Sequence, residues 1–127
     1  MADAPNRPLS PHLQVYRLPL TAITSILIRI TGQGMLPALL LIVWWLLASV
    51  TSAEAFARAD WVLRSWLGLL VLVGGLWSLM FHLLGGLRHL YYDSGRGIEI
   101  DEGRTLSVVV LAGSAVLTVL TLILLAF

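Results

Sequence analysis

The groups in this chain with chemistry beyond packing are three histidines, eight arginines and seven carboxylates, with no cysteine among them. Two of the imidazoles sit in an apolar run where Gly68, Gly75, His82 and His89 recur at sevens, with Ser78, Gly85, Gly86 and Asp93 on the same helical face. A neutral imidazole in such surroundings has a lone pair that calls for a metal or a hydrogen-bond donor. The small residues let something flat and bulky, or another helix, come close to the backbone. His82 and His89 are about two helical turns apart, roughly 10 Å, and cannot share one ion. If His82 holds an iron, the other axial ligand comes from another chain. The alternative is an imidazole bonded to a serine of a neighbouring helix. His12, flanked by proline, reads as an interfacial residue.

A second polar stripe runs through Thr21, Ser25, Arg29 and Gln33 at a spacing of four, one face of a helix. A hydroxyl and a guanidinium there can donate to a carbonyl oxygen or an anionic group lodged between helices. Equally, Arg29 can snorkel to the headgroups while Ser25 bonds its own helix backbone.

The elements that must hold these residues are membrane helices. The chain has 127 residues, 58% hydrophobic and 12% charged, and a mean hydropathy of +0.90. A spanning helix needs about 20 apolar residues. Three stretches qualify, predicting helices over about 20–50, 61–92 and 105–127, behind an N-terminal cytoplasmic or interfacial segment, 1–19. The expected fold is an all-α three-helix membrane bundle, residues 20–127. The linkers Ser52 to Arg64 and Asp93 to Arg104 carry most of the charge and read as surface turns. Trp61 and Trp66 mark one end of the second span, Tyr91 and Tyr92 the other, and Pro37 predicts a kink in the first.

Arg7, Arg17, Arg88, Arg96 and Arg104 fall on one side of the membrane, Arg58 and Arg64 on the other. The positive-inside rule then puts the N-terminus in the cytoplasm. The first residues have neither the basic region of a signal peptide nor the Arg/Ser-rich character of a transit peptide, which predicts a bacterial inner-membrane protein inserted by its own helices. A net charge of +1 excludes nucleic acid as a partner, and the lack of thiols excludes disulfides and cysteine-held clusters.

Both polar clusters resemble the signature segments of the cytochrome b (b556) subunits of succinate dehydrogenase, the larger membrane anchor of respiratory complex II. The first family segment opens with Arg-Pro-aliphatic and ends in Ser-x-x-His-Arg-x-Ser/Thr; here it reads Arg7-Pro8-Leu9 through to Ser25, Ile28, Arg29 and Thr31. The second, His-x-x-x-Gly-aliphatic-Arg-His-aliphatic-x-aromatic-Asp-x-Gly, is matched by His82, Gly86, Leu87, Arg88, His89, Leu90, Tyr92, Asp93 and Gly95. The likeness covers essentially the whole chain. It departs at Ile28, where the family usually has a histidine that helps hold a haem propionate.

The resemblance implies that the chain pairs with a second three-helix anchor and that the pair docks an iron-sulfur subunit and a flavoprotein subunit on the cytoplasmic face, with FAD and the clusters confined to those partners. It implies a haem b between the anchors with His82 as one axial ligand, and a ubiquinone site that uses Ser25 and Arg29. Arg88, His89 and Asp93 match the motif in either of two roles, haem propionate contact or interhelical ion pairing. Arg29 is expected to carry more of the propionate load where Ile28 has no imidazole. No residue of this chain is expected to be catalytic alone. The competing readings are a fumarate reductase anchor and a haem-free structural anchor. A single-chain di-haem anchor fails, because it needs four membrane imidazoles.

Overall fold

In lipid, each main-chain amide and carbonyl has to be satisfied within its own segment, and a chain this apolar therefore resolves into helices. The computed structural model describes residues 15–127. It has four helices: α1 (Leu20–Thr51), α2 (Ala53–Arg64), α3 (Trp66–Asp93) and α4 (Ile100–Ala126). Of these α1, α3 and α4, with 32, 28 and 27 residues, are long and apolar enough to cross a bilayer. Leucine, isoleucine and valine side chains cover the outside of the bundle, as helices facing acyl chains require.

The helix limits depart from the expected ones in three places. The linker Ser52 to Arg64 is not a turn but the short helix α2, capped by Ser52 Oγ, which accepts from Ala55 N at 3.1 Å. Glu54 in its first turn and Arg64 in its last both suit the helix dipole. The second span begins at Trp66 and not at 61, because Ser65 turns the chain between α2 and α3. Ser65 Oγ accepts from Gly68 N at 3.1 Å while its own amide donates to the Trp61 and Val62 carbonyls. The third helix starts at Ile100 and not at 105, since Asp101 and Glu102 favour a helix N-terminus although they cannot lie in hydrocarbon. α1 is continuous through Pro37.

The small-residue stripe of α3 is taken up by α1. A Cβ built on Gly75 would collide with Ala38 Cβ, one on Gly85 would collide with Ile28, and one on Gly34 would lie 3.2 Å from Ser78 Oγ. The two helices are antiparallel and in near-backbone contact, while α4 seats against both at the end where α1 begins. Besides Phe81, Val110 and three alanines the interior holds mainly hydroxyls: Thr24, Thr31, Ser78, Ser107, Ser114 and Thr118. Most return to their own helix, as in Thr31 Oγ1 to Leu27 O at 2.9 Å and Thr118 Oγ1 to Ser114 O at 2.7 Å. That satisfies them where no water reaches.

At the other end, α2 folds back on α1. Phe56 stacks on Trp45 with ring centroids 5.4 Å apart. Asp60 accepts from Trp45 Nε1 at 3.4 Å and pairs with Arg64 at 2.6 Å.

Gly74 and Gly75 provide a direct check of this packing, because a Cβ on Gly74 meets nothing within 4 Å. Gly75→Ala is expected to destabilise the detergent-purified assembly by about 1–3 kcal/mol through overpacking. Gly74→Ala should be neutral, or stabilising by up to about 1 kcal/mol from helix propensity. Thermal unfolding of the two variants side by side measures the difference, and equal shifts would refute the contact.

Candidate functional site

His82 stands on α3 beside the α1 contact, with its side chain exposed at the flank of this chain. Its Nδ1 lies 3.2 Å from the main-chain carbonyl oxygen of Ile28. A carbonyl can only accept, so this bond calls for the tautomer with the proton on Nδ1 and leaves the lone pair on Nε2. Gly32 closes the other side of the ring: a Cβ there would lie 3.3 Å from His82 Cε1. Ile28, the position where the family motif has histidine, thus contributes its carbonyl to His82 and its side chain to the contact with Gly85.

Gly86, one turn on from His82, has open space where a Cβ would sit. His89 and Asp93 follow on the same side of α3, both exposed. The His89 ring meets Tyr92 edge-on, centroids 6.2 Å apart. Asp93 ends α3, where a carboxylate opposes the helix dipole.

Across the furrow, Ser25 precedes Gly32 by seven residues and shares its side of α1, with Arg29 one turn beyond Ser25 and further outward. Ser25 is half-buried and Arg29 exposed. Among the described residues neither side chain has a hydrogen-bond partner, whereas the neighbouring Thr24 and Thr31 hydroxyls bond back to their own helix. Ser25 therefore does not spend its hydroxyl on the helix backbone. His82, Gly86, His89 and Asp93 share one side of α3, and Gly32, Ser25 and Arg29 the neighbouring side of α1, so the two sets flank the furrow where these helices meet.

Arg88 belongs to a different place. It is 5% exposed, in the interior where α1, α3 and α4 meet. Nη1 donates to Thr24 Oγ1 at 2.6 Å and to Ser107 Oγ at 3.3 Å, and the guanidinium lies 5.7 Å from the Tyr92 ring centroid. Its Nε is buried without a partner. Among the described residues the only ion pair is Arg64 with Asp60, so neither Arg88 nor Asp93 takes part in one. Sequence reasoning did not single out Thr24 or Ser107. A threonine and a serine among many give no signal until three helices are assembled.

Among the described residues no three metal-ligating side chains gather, so a metal can be held here by a lone imidazole only if other ligands are supplied. A groove of about 590 Å³ between Trp44, Ala57, Arg58, Trp61 and Val62 lies at the opposite end of the bundle and is lined almost wholly by apolar atoms. It offers no redox or acid–base chemistry.

Residues 3–121 match the family model described as succinate dehydrogenase/fumarate reductase transmembrane subunit. The chain is 63% identical over 118 residues to the succinate dehydrogenase cytochrome b556 subunit of Paracoccus denitrificans, covering 93% of this chain and 91% of that one. It is 34% identical to the corresponding subunit of Rickettsia conorii, over 90% of this chain and 89% of the other. With the cytochrome b560 subunit of succinate dehydrogenase from Reclinomonas americana the identity is 38%, over 76% and 71% of the two chains. Three spans and these matches agree that the chain is a multi-pass membrane protein and belongs to the family of succinate dehydrogenase and fumarate reductase transmembrane subunits.

Proposed function

We propose that this chain is the anchor subunit of a succinate:quinone oxidoreductase that shares a haem b with a second anchor and helps form the ubiquinone site. The observation that carries this reading is the bond between His82 Nδ1 and the Ile28 carbonyl, which turns Nε2 outward as a ligand. Metal-bound histidines characteristically donate their other nitrogen in this way, which fixes the ring and raises its basicity. The donor set fits a haem: one oriented imidazole, the open position at Gly86, and no cluster of further ligands among the described residues. His82 would hold the iron from this side, and the second anchor would supply a further ligand. Its haem is supported also by the relatives' names, cytochrome b556 and b560.

Arg29, His89 and Asp93 line the mouth of the furrow, where Arg29 and His89 suit the propionates and Asp93 suits a cation of a neighbouring subunit. The same names make this chain one subunit of a larger enzyme, and on our reading a flavoprotein and an iron-sulfur partner, holding FAD and the clusters, dock at this end of the bundle. The arginine asymmetry orients that end, with the N-terminus, toward the cytoplasm of a bacterial inner membrane. The haem, when bound, supplies a one-electron store.

The protein's own contribution is position and polarity. Ser25 Oγ, not held by its helix, donates to a quinone carbonyl oxygen. Arg29 sets a fixed positive charge beside that oxygen, where the low dielectric makes stabilisation of developing negative charge strong. The apolar walls exclude water while two electrons and two protons arrive. Identity to a succinate dehydrogenase subunit at 63% favours succinate oxidation over the reverse, fumarate-reducing direction.

His82→Ala is expected to abolish or strongly weaken the b-type absorbance of the purified complex after dithionite reduction. An unchanged spectrum would defeat the haem assignment and leave a structural anchor. Arg29→Ala should leave succinate oxidation by a soluble dye intact, since that chemistry sits in the flavoprotein. Quinone reduction should fall by about 10²-fold, the scale seen when one charge-stabilising donor is lost. Parallel loss of both activities would argue against a quinone site at Arg29.

A further inference from the structure

Arg88 raises a question that neither span formation nor ligand binding answers. It is buried among three helices, its charge faces no described carboxylate, and Nε has no acceptor. Arg88 lies about one and a half turns inside the C-terminal end of α3, where a buried guanidinium is costly unless it is paired and hydrogen-bonded. Buried charged groups are often replaced by apolar ones with no loss of stability. Packing alone is a poor reason for a guanidinium here.

What it holds is specific. Nη1 reaches one hydroxyl on α1, Thr24, at 2.6 Å and one on α4, Ser107, at 3.3 Å; the two hydroxyls are 3.2 Å apart. Ser107 itself donates to Gly103 O at 2.8 Å, which leaves its lone pairs toward the guanidinium. Thr24 immediately precedes Ser25, and Arg29 follows little more than one turn later. A helix that presents Thr24 to the interior must present Ser25 about 100° further round, on the flank that faces His82. Rotation of the first turns of α1 would move Ser25 and Arg29 together.

We propose that Thr24, Arg88 and Ser107 form a three-helix clasp that fixes the rotation of α1 and so aims Ser25 and Arg29 into the furrow, making Arg88 a positioning residue that acts through Thr24. This rests on Ser25 and Arg29 serving the quinone. Hydroxyls suit the task better than a carboxylate: a lone Asp on α1 would neutralise the cation, but two neutral acceptors on different helices are each directional and tie both helices to one planar group.

The test is a double-mutant cycle in the assembled complex, reading KM and kcat for quinone beside dye-linked succinate oxidation. Thr24→Val keeps shape and removes the acceptor. It should raise the KM for quinone roughly tenfold, well inside the hundredfold that a misplacement of about 1 Å can exact, with the haem spectrum and dye-linked rate unchanged. Thr24→Ser, which restores the hydroxyl, should return KM to normal. In a Ser25→Ala background Thr24→Val should add much less to KM than it does alone, because only Arg29 is left for it to aim.

Additive effects of the two substitutions would overturn the clasp and make Thr24 merely structural. So would a normal KM in Thr24→Val where Ser25→Ala alone raises it. A normal KM in Ser25→Ala would instead remove the quinone role of Ser25 and the clasp's purpose with it. Should Thr24→Val fail to assemble, Ser107→Ala, which deletes only the weaker acceptor, takes its place in the same cycle with the same outcomes.

Discussion

The near-backbone contact between α1 and α3 is the constraint on which the rest of this structure depends. Inside a bilayer the lipid is as apolar as the helix surface, so helices associate through close packing and hydrogen bonds and not through exclusion of water. Gly75 against Ala38, Gly34 against Ser78 and Gly85 against Ile28 supply that closeness along several turns. Only at this separation can a main-chain carbonyl of α1, already inside its own helix, also accept from a ring nitrogen of α3. The orientation of His82 is thus a by-product of glycine placement far more than of any property of the histidine itself. Gly32 and Gly86 complete it, the one packed against the ring and the other leaving room beside it.

Polar groups in the bundle divide into those the chain satisfies by itself and those it leaves available. Thr31, Ser114 and Thr118 close on carbonyls of their own helices and need nothing more. Thr24 and Ser107 do the same and in addition solvate Arg88. Ser25, Arg29 and the Nε2 of His82 have no such arrangement among the described residues, although they lie on a helix surface where an unsatisfied polar group is unfavourable. All three border one furrow.

Much of this was legible in the sequence, for an identifiable reason. Long apolar runs can only be helices in lipid, so the three spans followed from composition, and the histidine spacing placed His82 and His89 on one side of α3. α2 was not legible as a helix. Glu54, Arg58, Asp60 and Arg64 remove it from any search for spans, and what holds it is a Ser52 cap together with Phe56 and Asp60 contacts to Trp45, a residue of another helix. The stripe of small residues announced a close approach without saying of what; assembly gives most of it to α1. The position of Arg88 was the deepest surprise. Adjacent to His89 in sequence, it is turned about 100° away on the helix, which is enough to take it from the furrow into the interior.

That separation of neighbours bears on how such a site can change. Arg88 and His89 sit side by side in one motif, as do Thr24 and Ser25, yet in each pair one residue faces the interior and its neighbour the furrow. On the roles proposed above, interior members set helix rotation and furrow members meet what binds. The two sets are joined by the backbone alone, so furrow residues can be exchanged while the interior stays fixed. Ile28 illustrates this. An imidazole side chain is missing where the family motif has one, but the contact with Gly85 is filled and the carbonyl still accepts from His82, because a main-chain acceptor does not depend on the side chain it carries. What the exchange removes is a polar group at the furrow, and what it leaves untouched is the geometry that aims the remaining imidazole.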